Sequence, residues 1–362
     1  MRNSFQFSVF GFRCWSGSIP KVLIAFCIAV NCQLSTVNCQ DVHYTQFFTN
    51  PLILNPAQTG YYDGNYRFGF NFKAQWPWAT SQAVYNYHTE SPYVDFSFGE
   101  RKIKVGWFGW GFSFLNDEAG DGRLTYRRFS SSLAYHQAFD KDHRYILSLG
   151  FAASYIIRSV DFSKFYFNNQ WVDDEGFNLS LNSAEPWQKE TFGMLDLNAG
   201  LNFGAQVSDM VKLDFGFSML HINRPRHTFY NQSERLGFRY QASAGTNLKL
   251  GERITLDVNA YYTYQKKASE IVFGSLFGYG FYESRSRLNH MLYAGLYYRV
   301  KDALTPVVGY RYKTFRFLFS YDVTLSKLAT PARGNGGPEL SLVYVGKWHR
   351  EYNGKKVYCP RF

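Results

Sequence analysis

The chain has 362 residues, of which 20% are aromatic and 19% are charged, and its formal net charge is +11. This length suffices for one large domain. Beyond residues 22–30 no segment approaches the roughly 18 uninterrupted apolar residues of a membrane-spanning helix, which excludes a helical membrane protein.

The basic residues are spread along the chain instead of forming a stripe. This distribution disfavours nucleic-acid binding and favours a solvated protein surface. The charge also suits an acidic partner or the phosphates of lipopolysaccharide.

Residues 1–39 have the pattern of a secretion signal. Lys21 precedes the apolar segment 22–30, and a polar stretch follows that ends at Cys39. Because residues 37 and 39 are small, we expect cleavage after Cys39, so that Gln40 begins the mature chain. The alternative is a lipoprotein with lipid on Cys32 or Cys39, but neither cysteine has the Leu-small-small-Cys context.

Residues 40–63 precede the first predicted strand and contain two Asn-Pro pairs, Asn50-Pro51 and Asn55-Pro56. A residue before proline is pushed out of the helical region, so we expect an extended chain around residues 52–54. Such a segment fits a plug in a lumen or a periplasmic docking strand for a partner. The simpler alternative is a segment that only seals the barrel.

From residue 64 to residue 346 the chain alternates apolar and polar positions, the period of strands with two different faces. The apolar faces are aromatic, as expected for tilted strands that cross lipid, and the polar faces are rich in glycine, asparagine and charge. The pattern predicts an all-β, transmembrane antiparallel barrel of outer-membrane type. Its 14 expected strands are 64–73, 81–98, 103–115, 123–138, 144–158, 192–205, 211–222, 236–250, 253–264, 269–282, 288–300, 304–312, 315–323 and 338–346.

Most odd-numbered connections between these strands are long and most even-numbered ones are tight. The long ones span 76–80, 116–122, 159–191, 223–235 and 324–337. Outer-membrane barrels have short periplasmic turns and long surface loops, so this count predicts that both termini lie in the periplasm.

Two of the long connections have features of their own. The connection 159–191 carries Trp171, Trp187 and the acidic residues 173–175, and its length is typical of a functional loop, so we expect it to face a partner. The loop 116–122 carries three acidic residues, but their spacing does not match a calcium loop and predicts a plain turn.

The tail 347–362 is basic and is expected to be periplasmic. It holds Cys359, the only cysteine of the mature chain, so no internal disulfide is expected. Cys359 could pair with a periplasmic partner, or the end could serve docking or biogenesis. Phe362 is expected outside the last strand, because Pro360 cannot donate in a sheet ladder.

Four segments resemble one known family. They are the opening Gln40-Asp41 with 44–57 and 75–77, the turn 116–122, the pair of segments 154–155 and 158–164, and the C-terminal blocks 319–324, 336–341 and 359–362. Together they are similar to the PorP/SprF family, outer-membrane proteins of the type IX secretion system. The match runs in order over nearly the whole mature chain.

The resemblance implies a non-enzymatic secretion component that lies in outer-membrane lipid and binds type IX components and secreted proteins with C-terminal sorting domains, including gliding adhesins for some relatives. The partner-binding candidates are Asn50, Pro51, Asn55, Pro56, Trp171, Trp187, Cys359 and Phe362. The sequence contains no motif for catalysis, metal or cofactor binding, so we expect no enzyme activity and no cofactor. The alternative is an outer-membrane pore or transporter for small solutes.

Overall fold

The structure is a computed structural model that describes residues 42–76, 87–99, 105–120, 122–174, 176–178, 180–183, 185, 189–230, 234–284, 287–326 and 335–348. Its strands are β1 Tyr66–Ala74, β2 Tyr87–Phe98, β3 Gly106–Ala119, β4 Leu124–Ala138, β5 Tyr145–Ser159, β6 Trp171–Val172, β7 Gly176–Phe177, β8 Thr191–Gln206, β9 Val211–Leu220, β10 Arg239–Lys249, β11 Ile254–Gln265, β12 Ala268–Ser284, β13 Arg287–Arg299, β14 Ala303–Tyr312, β15 Phe315–Thr324 and β16 Asn335–Gly346.

Fourteen of these strands close into one antiparallel barrel, in which each strand pairs with the next along the chain and β1 pairs with β16. The strands β6 and β7 form a separate two-stranded sheet within the connection from β5 to β8. The predicted fold and strand number are confirmed. Closure leaves no open sheet edge, which a barrel in lipid requires because hydrocarbon cannot satisfy backbone polar groups.

The barrel has apolar side chains outside and polar side chains inside, the reverse of a soluble protein. On β5, Leu147, Leu149 and Phe151 are exposed on the outer wall, whereas Ser148 and Ser154 are buried on the lumen side. This alternation follows from the pleat of a strand, which sends successive side chains to opposite faces. The outer wall therefore suits contact with lipid.

The predicted loop 116–122 is shorter in the structure, because β3 continues to Ala119 and pairs with β4 over its whole length. Asn116, Asp117 and Glu118 are polar because they lie at the end of a strand, where neither face needs to be apolar. The turn itself contains Gly120 with a φ of +72°. Thus polarity alone placed this strand end too early.

The two ends of the barrel differ. The connections from β1 to β2, β5 to β8, β9 to β10 and β15 to β16 all lie at one end, which we call the long-loop end. The other end carries turns such as 207–210, 250–253 and 313–314, and we call it the short-turn end. The expected asymmetry of the connections is therefore present, although 266–267 and 300–302 at the long-loop end are also tight.

Residues 44–62, which we call the lumenal segment, lie inside the barrel and are mostly buried. The segment consists of short helical turns at Phe47–Thr49, Pro51–Leu54 and Pro56–Gln58. The expectation of an extended chain around residues 52–54 is wrong. Proline restricts the residue before it, and both asparagines are indeed non-helical, but proline is well suited to the first position of a helix. No helix of the described chain is long and apolar enough to cross a membrane.

The lumenal segment runs from the long-loop end to the short-turn end. Val42 packs beside Leu115 and Met194 near the long-loop end, whereas β1 begins beside the end of β16 at the short-turn end. Val42 and Trp348 therefore lie toward opposite ends of the barrel. The prediction that both termini are periplasmic concerns Gln40 and the tail beyond Trp348, which lie outside the described residues.

Candidate functional site

The start of the lumenal segment is bound to the barrel wall near the long-loop end. The Glu339 carboxylate accepts hydrogen bonds from the backbone N–H groups of Thr45, at 3.0 Å, and Gln46, at 2.8 Å. The Gln46 side chain also donates to Ser320 Oγ at 2.7 Å and accepts from Ser341 Oγ at 2.6 Å. Both its backbone and its side chain thus fix this part of the segment to β15 and β16.

A buried network of four charges surrounds this anchor. Lys73 Nζ lies 3.3 Å from Asp322 Oδ2 and 4.0 Å from Glu339 Oε2. Arg299 Nη2 donates to Asp322 Oδ2 at 2.7 Å and also contacts the Thr45 hydroxyl. Because buried charges are costly unless paired, this balanced network holds β1, β13, β15 and β16 in one arrangement around Thr45.

His43 precedes this anchor and has its Nε2 3.3 Å from Glu270 Oε2. Burial lowers its pKa well below the ordinary value, and the positive charges of Arg299 and Lys73 lower it further. The imidazole is therefore neutral near neutral pH. Burial also raises the pKa of the neighbouring Tyr44 phenol, which stays protonated.

The middle of the segment is held in place by Asn50 and Asn55, the two asparagines named above as partner-binding candidates. Asn50 donates from Nδ2 to Ser91 Oγ at 2.8 Å, and Asn55 donates from Nδ2 to the Leu201 carbonyl at 2.8 Å. Asn55 Oδ1 also accepts from the Ala57 backbone N–H at 2.9 Å, which caps the last helical turn. Each asparagine therefore joins the segment to the wall.

Glycines on the wall make room for this part of the backbone. A Cβ added to Gly150 would lie 2.3 Å from the Ala57 nitrogen, and one added to Gly200 would lie 1.9 Å from Asn55 Oδ1. Gly109 on β3 makes the same kind of close approach to the Thr59 carbonyl. These three strands form a groove that fits the segment only because they lack side chains at those positions.

The end of the segment is fixed near the short-turn end. Asp95 receives Arg67 through two hydrogen bonds, at 2.9 and 2.7 Å, and also accepts the Gly60 N–H at 2.7 Å. Trp107 Nε1 donates to the Gly60 carbonyl at 3.0 Å. A bidentate arginine–carboxylate pair is a strong, directional contact. Because it fixes the Asp95 carboxylate that also accepts the Gly60 N–H, Gly60 is held firmly against β2 and β3.

A cavity of about 790 Å³ remains between the lumenal segment and the wall, on the side of β9–β11 and β13–β15. It reaches the turn that contains Gly251 and Glu252, so it lies toward the short-turn end. Phe47 and Phe48 form its apolar side and stack on Tyr261 and Tyr297, with ring centroids 5.2 and 5.3 Å apart.

The connection from β5 to β8 carries an exposed aromatic patch, which we define as Phe165, Tyr166, Trp171 and Phe177. All four are exposed. Trp171 and Phe177 pack edge to face with centroids 4.9 Å apart, and Tyr166 lies 5.1 Å from Phe177. A contiguous exposed apolar patch on a protein often marks an interaction surface.

The structure brings Asn50, Pro51, Asn55 and Pro56 together in the lumen, and it places Trp171 apart from them in the aromatic patch at the long-loop end. Trp187, Cys359 and Phe362 lie outside the described residues. The charges at positions 73, 299, 322 and 339 were not predicted from the sequence. Each is a charged residue on the lumen face of a strand, and that alternation was the signal that could have identified them.

Within the described ranges, no group of three or more His, Cys, Asp or Glu residues could hold a metal ion. Two acidic residues of the region 116–122 bind protein groups: Thr89 Oγ1 donates to Asp117 at 2.6 Å, and Glu118 lies 3.6 Å from Arg123. Asp121 lies outside the described residues.

The family model described as type IX secretion system membrane protein PorP/SprF matches residues 36–344. No curated protein sequence matches the chain.

Among solved structures, the Ralstonia pickettii toluene transporter TbuX has 12% identity and a TM-score of 0.49, with 83% of this chain and 94% of that chain covered. The Pseudomonas putida toluene transporter TodX has 10% identity and a TM-score of 0.48, with 81% and 91% covered. BamA from Haemophilus ducreyi lacking POTRA domains 1–3 has 7% identity and a TM-score of 0.42, with 78% and 70% covered. At these identities and scores the similarities carry no inference about what this chain binds.

Proposed function

The chain belongs to the PorP/SprF family of type IX secretion system membrane proteins, and on that premise we propose that it is a non-enzymatic outer-membrane component that anchors or assists the export and surface attachment of sorting-domain proteins. In some relatives the exported proteins would include gliding adhesins. Its partners would be other type IX components and the secreted proteins themselves.

The observation that supports an anchoring role over free passage is the occupied lumen. The lumenal segment is bound to the wall at its start by Glu339, in its middle by Asn55 and at its end by Asp95. An open channel for solutes would need this segment to leave its seat. We therefore propose that residues 44–62 act as a plug and that partners bind at the ends of the barrel.

For orientation we propose that the long-loop end faces the cell surface and the short-turn end faces the periplasm, as in other outer-membrane barrels. The basic tail 347–362 then starts in the periplasm, where Cys359 could meet a partner. Val42, by contrast, lies toward the surface side.

The aromatic patch at the long-loop end is the proposed partner surface. Its rings stand on a connection that is longer than closing the barrel requires, and Phe162 links it to Phe229 of the connection from β9 to β10, with centroids 6.0 Å apart. Two neighbouring loops therefore support one apolar surface, which is consistent with binding a protein partner.

The test is an affinity pull-down of the tagged protein from native outer membranes in mild detergent, read by mass spectrometry. We expect type IX components or sorting-domain cargo in the wild-type sample and a several-fold loss in the double variant Trp171→Ala/Phe177→Ala. Leu250→Ala, which removes an exposed apolar side chain at the other end, is the matched control.

Recovery of the barrel alone, together with ion conductance of the purified protein in planar bilayers, would favour a solute pore and contradict the secretion role. Equal recovery of type IX partners by the double variant and the wild type would keep the role but reject the aromatic patch as its surface.

A further inference from the structure

Two arginines face each other on the wall of the lumenal cavity. Arg311 on β14 and Arg316 on β15 are register partners, directly opposite each other on adjacent strands. Their chain neighbours Tyr310, Tyr312 and Phe315 are exposed on the outer wall, and both arginines line the cavity. Like charges directly opposite each other destabilise a sheet, so the pair is costly to the fold by itself.

Within the described part of the chain, neither arginine makes a hydrogen bond or an ion pair, and Arg311 Nε is buried without an acceptor. Two other lumenal arginines are paired, Arg67 with Asp95 and Arg299 with Asp322. Arg128 on β4 is buried and, like Arg311, has an Nε without an acceptor. Arg128 does not line the cavity, so Arg311 and Arg316 stand out because they are unpaired and line the cavity together.

The aspartates that line the same cavity form no ion pair or hydrogen bond with the two arginines. Asp257 acts on both arginines through its charge but is bound by Asn247 Nδ2, and Asp214 accepts from Asn202 Nδ2 at 2.9 Å. Glu252 lies in the turn at the rim, where Lys249 and Lys212 also line the cavity. The two lysines add positive charge to the part of the cavity that opens toward the short-turn end.

We propose that this cavity binds an organic oxyanion that enters from the short-turn end, with its carboxylate or phosphate between Arg311 and Arg316. Guanidinium groups bind both kinds of oxyanion through paired hydrogen bonds. The apolar part of the ligand lies against Phe47, Phe48 and Tyr293. The cavity volume of about 790 Å³ is within the range of small-molecule sites. The proposal is independent of the secretion role.

The experiment is isothermal titration of the purified full-length barrel in neutral detergent with 3-phenylpropanoate and, separately, phenyl phosphate, which distinguish a carboxylate from a phosphate ligand. The neutral 3-phenylpropanamide has the same shape without the charge. We expect wild-type protein to bind at least one anion and not the amide. The double variant Arg311→Gln/Arg316→Gln should bind it about tenfold or more weakly, the loss that one charged hydrogen bond explains.

Lys313→Gln is the control, because it removes one positive charge at the same end of the barrel from a side chain that lies over the Tyr312 ring and does not line the cavity. Its affinity should stay within about twofold of wild type, since screened charges at a distance contribute little. Equal binding of anion and amide, equal binding by the double variant, or no binding of either anion by the wild type would each overturn the proposal.

Thermal unfolding is a second measurement of the same binding, and it does not depend on the sensitivity of the calorimeter. If the pair holds an anion, the anion raises the melting temperature of the wild type and of Lys313→Gln but not that of the double variant. The double variant should also melt at or above the wild-type temperature without ligand, because it removes two opposed like charges. An anion-induced rise in the double variant equal to that of the wild type would reject the site.

Discussion

At the scale of single residues, the lumen of this barrel is held by buried charges with defined partners. Asp95 is the clearest case, because it receives both Arg67 and the Gly60 N–H and is fully buried. Near it on the same end of the barrel, Asp63 forms a 2.8 Å pair with Lys347 that is exposed on both sides. Both aspartates pair with a cation, Arg67 in the first case and Lys347 in the second, but the first pair is buried and the second is exposed.

We expect Asp95→Asn to lower the free energy of unfolding by about 3 to 5 kcal/mol, since it leaves the buried Arg67 charge without its carboxylate. Asp63→Asn should cost less than about 1 kcal/mol, because exposed ion pairs are weak. Urea unfolding in detergent or lipid measures both. Similar losses in the two variants would contradict the assignment of Asp95 as the fixing contact.

His43 predicts a pH dependence. Its folded pKa is depressed below its unfolded value of about 6.5, mainly by burial and then by Arg299 and Lys73. The contribution of the neutral imidazole to the free energy of unfolding is therefore fully present above the unfolded pKa and is lost as the pH falls toward the folded pKa. The melting temperature of the wild type should fall more steeply from neutral to mildly acidic pH than that of His43→Gln, which cannot take up the proton. Parallel curves would mean that His43 does not carry this loss.

At the scale of elements, the seat of the lumenal segment is a groove made by glycines on neighbouring strands. The close neighbours of Gly150 are backbone atoms of Pro56 and Ala57, which cannot rotate away as a side chain could. Gly251 lies in a turn, and a Cβ added there would have no other atom within 4 Å. A Gly→Ala substitution therefore meets backbone atoms at position 150 and empty space at position 251.

Gly150→Ala should displace the segment and destabilise the barrel by about 1 to 3 kcal/mol, the usual cost of overpacking. Gly251→Ala should be nearly neutral. Limited proteolysis of the folded protein reports the segment directly, and we expect new cleavage within residues 44–62 only in Gly150→Ala. Intact segments in both variants would show that the groove tolerates a side chain.

At the scale of the whole molecule, the path of residues 42–62 decides which end of the barrel each end of the described chain occupies. In a Cys359→Ser background, Val42→Cys should react with a membrane-impermeant maleimide on intact cells, and Trp348→Cys should react only after the outer membrane is opened. The physical reason is the closed barrel, which separates the two ends. Labelling of both positions, or of Trp348→Cys alone, on intact cells would contradict the proposed orientation.

Much of the architecture was predictable because strand alternation is local. The faces of β8, with Leu195 and Leu197 outward and Asp196 inward, follow from neighbouring positions in the sequence. The outward aromatic residues predicted lipid contact for the same reason. By contrast, the end of β3 and the path of residues 52–54 were predicted wrongly, because polarity and proline constrain local conformation without fixing where an element lies.

An outer-membrane type barrel of 14 strands, its two faces and its family could all be inferred from the order of the residues. The folded barrel was needed to see that residues 44–62 cross the lumen, that Thr45 contacts Asp322 across 277 positions, and that Arg311 and Arg316 lie opposite each other without partners. These contacts depend on the register between strands and on closure of the sheet. Both are set by hydrogen bonding over the whole barrel, so no local pattern of residues contains them.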